Sequence, residues 1–335
     1  MAIEDTLGRP LEELRLSVTD RCNFRCRYCM PREMFGPGFR FLPRGEILSF
    51  EEITRLTKLF TALGVRRLHL TGGEPLLRHE LPVLISQLAA IPEIENIALT
   101  TNGSLLTPTA ARTLHEAGLH RITVSLDALD PQTAGRMADT TVDPAQILAA
   151  IDDAAPGLGP VKINMVVRRG LNDREVVPMA RRFRHSGHIL RLIEYMDVGT
   201  GNGWDRTELV SAEEVRRRIE ALWPLEPVAP NRSSETARRY RYRDGAGEIG
   251  FIASVTQPFC GSCTRVRLTA EGRLYTCLFA EGGLDLRAPS RSGMDDTGIL
   301  QLLRERWMRR TNHYSELRGS IPTPAGKVEM FRVGG

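Results

Sequence analysis

The sequence predicts an α/β fold: a partly open (β/α)6 barrel followed by a C-terminal antiparallel β/α extension. Three features of residues 1–223 carry the barrel prediction. Six short apolar runs have the length of buried strands, helix-length segments separate them, and polar or glycine-rich residues follow most of the runs. Alternating strands and helices favour parallel strands joined by right-handed crossovers. Because six units are fewer than the eight of a closed barrel, we expect the barrel to stay partly open.

The elements of the predicted barrel follow from local patterns. Strands are expected at 14–18, 67–70, 97–100, 122–126, 161–167 and 190–195. The pattern Ser49-Phe-Glu-Glu52 is typical of a helix capping box, and Gly64 marks the end of that helix. Further helices are expected at 109–117, 144–154, 174–185 and 212–222. In a barrel of this kind the ligand site lies at the carboxyl ends of the strands.

The character of the chain changes after residue 223, so we expect a second domain at 224–335. Prolines at 224, 227 and 230 are typical of a linker. Strands are expected at 239–243, 248–255, 265–268 and 273–277, with a helix at 298–308. These segments predict a small antiparallel β layer.

Composition excludes several classes of protein. Lys and Arg outnumber Asp and Glu by 45 to 41, a net charge of +4, which is too small to indicate nucleic-acid binding. No apolar run is long enough to span a membrane. The N-terminus lacks the basic and apolar regions of a secretory signal, so the expected location is the cytoplasm.

The six cysteines form two triads, which we call the first triad and the second triad. They comprise Cys22, Cys26 and Cys29, then Cys260, Cys263 and Cys277. Three disulfides are the alternative, but a long chain without a signal favours metal or redox use. A structural zinc site or iron–sulfur cluster takes four ligands. Three thiolates on a 4Fe–4S cluster therefore leave one iron free for a cofactor or substrate; zinc with His69 or His79 as fourth ligand is the competing interpretation.

Other candidate site residues follow the predicted strands. Paired glycines in Thr71-Gly-Gly-Glu-Pro75 allow the backbone to approach a ligand closely. Ser125, Asn164 and Met196 lie in or after later strands, although helix capping and packing explain such residues equally well. Arg265 and Arg267 alternate on one strand face, where two guanidinium groups could bind phosphate or simply face solvent.

Several longer motifs resemble those of radical S-adenosylmethionine enzymes, and specifically the MoaA family of GTP 3′,8-cyclases in molybdenum cofactor biosynthesis. These motifs are Leu14-Arg-Leu-Ser-Val-Thr-Asp-Arg-Cys-Asn-Phe-Arg-Cys26, Thr71-Gly-Gly-Glu-Pro-Leu-Leu-Arg78, Leu99-Thr-Thr-Asn-Gly103, Val124-Ser-Leu-Asp-Ala128, Ile193-Glu-Tyr-Met-Asp-Val-Gly199, Phe259-Cys-Gly-Ser-Cys-Thr-Arg-Val-Arg-Leu268 and the final Gly334-Gly335. The resemblance extends from about residue 7 to the end of the chain. The two triads with the Thr-Arg-x-Arg element distinguish this family from other radical enzymes.

The resemblance assigns roles to individual residues. Each triad would hold a 4Fe–4S cluster, the first binding S-adenosylmethionine and the second facing the guanine. The cofactor pocket would comprise Tyr28, Gly73, Ser125, Asn164 and Met196. GTP would contact Arg15, His69, Thr100, Lys162, Arg265 and Arg267. Two positions depart from the family pattern, because His69 and Val328 stand where the family usually has arginine.

The resemblance also implies an activity and partners. The enzyme would be a lyase that converts GTP to (8S)-3′,8-cyclo-7,8-dihydroguanosine 5′-triphosphate, with no side chain acting as acid or base. Its partners would be an electron donor of flavodoxin or ferredoxin type and the downstream cyclic pyranopterin monophosphate synthase, and the chain would form a homodimer. A peptide-modifying radical enzyme with an auxiliary cluster and a metal-binding regulatory protein are the alternatives.

Overall fold

Twelve strands form one sheet in the computed structural model, which describes residues 3–320 and 326–334. The strands are β1 (Glu13–Ser17), β2 (Arg67–Thr71), β3 (Asn96–Thr101), β4 (Arg121–Ser125), β5 (Lys162–Val167), β6 (Ile189–Glu194), β7 (Leu225–Val228), β8 (Arg238–Tyr242), β9 (Glu248–Ile252), β10 (Arg265–Leu268), β11 (Arg273–Tyr275) and β12 (Leu284–Asp285). Their order across the sheet is β12-β11-β10-β1-β2-β3-β4-β5-β6-β9-β8-β7. Strands β1 to β6 are all parallel, which confirms the six predicted barrel strands.

Helices connect the parallel strands. The eleven α-helices within the described residues are α1 (Phe50–Ala62), α2 (Leu81–Ala89), α3 (Pro108–Glu116), α4 (Pro131–Ala138), α5 (Pro144–Leu158), α6 (Val176–Phe183), α7 (Ala212–Glu220), α8 (Arg287–Arg291), α9 (Asp296–Met308), α10 (Tyr314–Leu317) and α11 (Met330–Val333). The predicted capping box is present, because Glu52 N donates to Ser49 Oγ (3.2 Å) and Ser49 N donates to Glu52 Oε2 (2.7 Å). Helices α2 and α4 of the barrel and the short helices α8, α10 and α11 were not predicted.

The strands after residue 223 confirm the predicted antiparallel extension, but they do not form one small layer. They extend the barrel sheet at both of its edges instead. β9 pairs in parallel with β6 and continues antiparallel into β8 and β7, while β10 pairs in parallel with β1 and continues antiparallel into β11 and β12. The predicted linker is also wrong in part, because Pro227 lies within the edge strand β7, a position where proline is tolerated.

The sheet has an apolar face and a polar face. Leu14, Leu16, Leu68 and Leu70 are buried in the main core, with apolar residues of α1 such as Phe60. The alternate positions of the same strands carry polar and charged side chains, since successive residues of a strand point to opposite faces. Within the described residues, no helix is long and apolar enough to cross a membrane.

Candidate active site

The strand register places the predicted strand residues on one face of the sheet. Arg15 lies opposite His69 in β2 and opposite Arg267 in β10, and Asn164 lies opposite Arg191. Thr100, Thr123 and Lys162 are linked in the same way across β3, β4 and β5. Because paired residues of neighbouring strands share a face, this register collects the set on the polar side of the barrel. Its members are Arg15, His69, Thr100, Thr123, Ser125, Lys162, Asn164, Arg191, Arg265 and Arg267.

Positive charge on this face exceeds the available negative charge. Among the described residues, Lys162, Arg191, Arg265 and Arg267 make no ion pair with a carboxylate. Burial, followed by the charges of other arginines, lowers the pKa of Arg191 to about 10, that of Arg267 to about 9 and that of Lys162 to about 8. Cations held together at such an electrostatic cost are typical of a site for an anionic ligand.

His69 is a neutral member of this face. Burial, and then the charges of Arg15 and Arg191, lower the pKa of His69 well below its ordinary value. Its Nδ1 lies 3.3 Å from Arg15 Nη2, and its Nε2 lies 2.6 Å from Thr100 Oγ1. The imidazole therefore bridges two residues predicted to contact substrate, at the position where the family usually has a cation.

The first triad lies in the loop after β1. Burial raises the pKa of all three thiols, to about 11 for Cys22, and the triad members also interact electrostatically with one another. Phe24 N donates to Cys22 Sγ at 3.4 Å, and Cys29 N donates to Cys26 O at 2.9 Å. Three free thiols on one turn, one of them accepting an amide hydrogen bond, are a donor set that suits an iron–sulfur cluster.

The Gly-Gly turn after β2 packs directly on this loop. A Cβ at Gly73 would lie 2.2 Å from the carbonyl oxygen of Arg21, so only glycine fits there. Glu74, whose pKa is raised by burial, joins the turn to the end of β3. It accepts hydrogen bonds from Thr101 Oγ1 and Asn102 N, both at 2.7 Å. The structure thus fixes the cysteine loop, the Gly-Gly turn and β3 against one another.

The other residues predicted for the cofactor pocket lie at neighbouring strand ends. Tyr28 donates through its hydroxyl to Asp127 Oδ2 at 2.8 Å, just after β4. Asn164 Oδ1 is buried without a hydrogen-bond partner among the described residues, which leaves an acceptor available for a ligand. Met196 follows β6 and packs near Val198. Asp127, whose pKa is raised to about 6 by burial, lies in the predicted motif Val124-Ser-Leu-Asp-Ala128 but was given no role of its own from the sequence.

The second triad lies at the opposite end of the barrel. Cys263 precedes the first residue of β10 by two positions, and Cys277 follows the last residue of the antiparallel β11 by two. β10 runs parallel to β1, whereas the first triad comes after the carboxyl end of β1. The two triads therefore face each other across the length of the barrel strands, and the unpaired cations lie between them.

The electrostatics of the second triad favour a thiolate. Burial raises the pKa of Cys263, but Arg265 and Arg310 outweigh this effect and lower the pKa to about 6. Phe279 N donates to Cys277 Sγ at 3.4 Å, which repeats the arrangement at Cys22. Thiolates are the ligands that iron–sulfur clusters require, so these residues fit a second cluster.

Neither of the two histidines that the zinc interpretation requires is available as a fourth ligand for the first triad. His69 is engaged by Arg15 and Thr100, and the side chain of His79 is 91% exposed beside Glu80. Within residues 3–320 and 326–334, no three His, Cys, Asp or Glu side chains converge closely enough for a single metal ion. A cubane cluster does not need such convergence, because each thiolate binds a different iron.

The end of the chain reaches the same face of the barrel. Arg267 Nη1 donates to the carbonyl oxygens of Val333, at 3.0 Å, and Gly334. Gly334 has a φ of +64°, and a Cβ there would lie 2.0 Å from Thr71 Cγ2. Gly335 lies outside the described residues. Of the two tail cations that could replace an arginine at position 328, Lys327 pairs with Asp197 and Arg332 pairs with Glu271.

Arg191 is a further residue of this site that the sequence interpretation missed. It extends from β6 on the polar face, and its Nη2 donates to Thr123 Oγ1 at 3.2 Å. The available signal was an arginine with apolar neighbours on both sides within the strand Ile189–Glu194.

Comparison with known proteins agrees with this geometry. The Radical SAM superfamily matches residues 16–183, and the family Molybdenum Cofactor Synthesis C matches residues 188–316. Among solved structures, Streptococcus suis SuiB bound to S-adenosylmethionine has a TM-score of 0.61 at 13% identity, covering 87% of this chain and 67% of that chain. The chain is thus a radical S-adenosylmethionine protein, a class whose members carry a 4Fe–4S cluster and S-adenosylmethionine.

Curated relatives narrow the class to one family. GTP 3′,8-cyclase of Acidothermus cellulolyticus is 56% identical over 94% of this chain and 88% of the relative. The enzymes of the same name from Xanthomonas axonopodis pv. citri and Staphylococcus epidermidis are 47% and 44% identical, each over 99% of both chains. This chain belongs to the GTP 3′,8-cyclase family.

Proposed function

We propose that this protein converts GTP to (8S)-3′,8-cyclo-7,8-dihydroguanosine 5′-triphosphate, the first step of molybdenum cofactor biosynthesis. The observation that carries the proposal is the placement of two cysteine triads at opposite ends of one barrel, with unpaired cations between them. A cofactor bound at one end and a nucleotide bound at the other would meet inside the barrel. In this proposal residues 1–223 provide the cofactor site, and residues 224–335 add the second cluster and further nucleotide contacts.

The first triad would hold the cluster that binds S-adenosylmethionine. When bound, this pair would supply the radical chemistry of the reaction. The chain itself contributes orientation, since Gly73 fits tightly against the cysteine loop and Asn164 Oδ1 is an unpaired buried acceptor. Tyr28, Ser125 and Met196 complete the proposed cofactor pocket.

The second triad would hold a second cluster on the nucleotide side of the barrel, and the barrel cations would bind the triphosphate. Arginine suits this role because its fork of N–H groups matches phosphate oxygens. Arg15, Lys162, Arg265 and Arg267 are the proposed contacts, with Arg191 added from the structure. His69 and Thr100 position Arg15 through the hydrogen bonds described above.

The proposed cellular context follows the family. We place the reaction in the cytoplasm, with a flavodoxin or ferredoxin as electron donor and cyclic pyranopterin monophosphate synthase as the next enzyme, and we propose a homodimer.

Anaerobic reconstitution followed by incubation with GTP, S-adenosylmethionine and a reductant tests the activity. We expect about eight irons and eight sulfides per chain, because each 4Fe–4S cluster carries four of each. 5′-Deoxyadenosine and the cyclised nucleotide should form together. A protein with both clusters that forms neither product would refute the proposal. Loss of GTP binding in Arg265→Ala would further separate this activity from peptide modification, which has no use for a nucleotide site.

A further inference from the structure

The C-terminal segment 326–334, which we call the strap, crosses both ends of the barrel. It begins beside Glu281, where Gly326 N donates to Glu281 Oε1 at 3.0 Å. Phe331 then packs on Phe35, with ring centroids 4.7 Å apart, in the cluster that also contains Met30 next to the first triad. The strap ends with Gly334 between Thr71 and Arg267. One short segment therefore contacts both triad regions and Arg267, a residue proposed to bind the nucleotide.

A buried ion pair holds the start of the strap. Lys327 Nζ lies 3.0 Å from Asp197 Oδ2 and 2.6 Å from the Asp197 carbonyl oxygen, and the side chains are only 3% and 8% exposed. The other strap cation, Arg332, pairs with Glu271 at 3.2 Å but is 43% exposed. An exposed pair contributes little, whereas breaking a buried pair leaves an uncompensated charge.

Asp197 also contacts the elements around the second triad. Its carboxylate accepts from Tyr314 Oη at 2.6 Å and from Arg318 Nε at 2.9 Å. Phe279, two residues after Cys277, stacks on Tyr314 with centroids 4.9 Å apart. On the other side, Asp197 directly follows Met196 of the proposed cofactor pocket. A single carboxylate thus joins the end of β6, the second-triad region and the strap.

We propose that the Asp197–Lys327 pair is a latch that positions the strap, so that Gly334 is held against Thr71 and Arg267 during cyclisation of the nucleotide. This inference rests on the proposed function. Both members of the latch are positioning residues, because they act through the strap. Lys327 can position Gly334 because the two residues are only seven positions apart. The helix α11 lies between them and connects the latch to the end of the strap.

The test compares Lys327→Met with Lys327→Arg and with the matched strap variant Arg332→Met. Lys327→Met leaves Asp197 with its two remaining partners, Tyr314 and Arg318, so the fold and both clusters should persist. Each protein is reconstituted anaerobically, its iron is measured, and hydrogen exchange of residues 326–334 is followed by mass spectrometry. The latch predicts that exchange of this peptide becomes at least about tenfold faster in Lys327→Met, remains near wild type in Arg332→Met and is largely restored in Lys327→Arg.

The functional readout is the amount of cyclised nucleotide formed by protein with full iron content. It should fall at least about tenfold in Lys327→Met, since the strap contacts both triad regions and Arg267. Loss of iron in this variant would show a merely structural role and overturn the proposal. Unchanged strap exchange, or faster exchange with unchanged cyclisation, would overturn it as well.

The same experiment separates the latch from the proposed function. If the wild-type protein forms no cyclised nucleotide, the proposed function fails on that result alone. The exchange measurement still reports whether Lys327 holds the strap. Asp197→Asn provides a second variant: it keeps the side-chain size and removes the charge. It should release the strap less strongly than Lys327→Met, because the Asp197 backbone carbonyl still accepts from Lys327 Nζ.

Discussion

Replacing Arg191 by methionine should weaken nucleotide binding and stabilise the unliganded protein at the same time. Arg191 lies among like charges on the polar face of the barrel, with one hydrogen bond to Thr123. Methionine has a similar length, packs in the same space and carries no charge. Most substitutions that remove a binding residue leave stability unchanged or lower it, so the two opposite signs are a specific signature.

The magnitudes follow from the electrostatics of the site. The pKa of Arg191 is lowered from 12.5 to about 10 in the folded state. This shift corresponds to a loss of about 3 kcal/mol in the free energy of unfolding, because the charged guanidinium is less stable in the folded protein than in water. Loss of the hydrogen bond to Thr123 offsets about 1 kcal/mol of this. We therefore expect unfolding of Arg191→Met to require about 2 kcal/mol more than wild type. Loss of a charge-assisted hydrogen bond to phosphate, about 1.5–3 kcal/mol, should raise the Kd for GTP about 10- to 150-fold.

Calorimetric titration with GTP and thermal unfolding of the reconstituted protein measure both effects. Arg184→Met is the matched control, because Arg184 is a paired arginine that contacts Asp244 and stacks on the Trp223 ring at 4.6 Å, away from the barrel face. The control should lose stability and keep its affinity for GTP. An unchanged Kd in Arg191→Met, or a fall in Tm like that of the control, would refute this account of the barrel cations.

Three further variants or conditions test other parts of the site. Gly73→Ala places a Cβ 2.2 Å from the carbonyl oxygen of Arg21, so the first cluster should be lost. About four of the eight irons should then remain, and full iron content would contradict the tight fit at Gly73. Cys277→Ser should remove only the second cluster, so that 5′-deoxyadenosine still forms without cyclised nucleotide, and intact cyclisation would exclude that cluster from the reaction. Lys162 has a pKa lowered by burial to about 8, so affinity for GTP should fall as the pH rises through 8. The folded pKa of Lys162 lies below the unfolded value of 10.5, so the unfolded state binds more protons between pH 8 and 10.5. The stability of the free protein should therefore rise over the same interval. Lys162→Arg should abolish both the fall in GTP affinity and the rise in stability.

The barrel strands could be predicted from the sequence because each is a short segment with buried apolar residues at alternate positions, separated from the next by a helix-length segment. The six predicted strands agree with the structure to within two residues at each end. Helices α2 and α4 were harder to identify. Helix α2 starts after Glu80, which has a left-handed backbone, and α4 is short and contains Gly135. Their local signals are weaker than the capping box of α1.

The topology beyond residue 223 could not be predicted, because it depends on pairing between distant segments. Strand β10 lies beside β1 although about 250 residues separate them, and no local pattern specifies that partner. The spacing of the cysteines predicted both triads but not their placement at opposite ends of the barrel. Arg191 was overlooked for a related reason. The role of a single charged residue in a strand can be recognised only when the register places it beside Asn164 and Thr123.

The same register explains why the site depends on the extension. Without β10, the polar face of the barrel would lack Arg265, Arg267 and the second triad that adjoins them. Parallel pairing of β10 with β1 puts Arg267 level with Arg15, so cations from distant parts of the sequence lie side by side on the polar face of the barrel. The carbonyl oxygens of Val333 and Gly334 already occupy Arg267 Nη1. In the proposed site, a nucleotide phosphate must therefore use the remaining guanidinium donors of Arg267 or displace the strap from it. Nucleotide binding and the position of the strap would then depend on the same side chain.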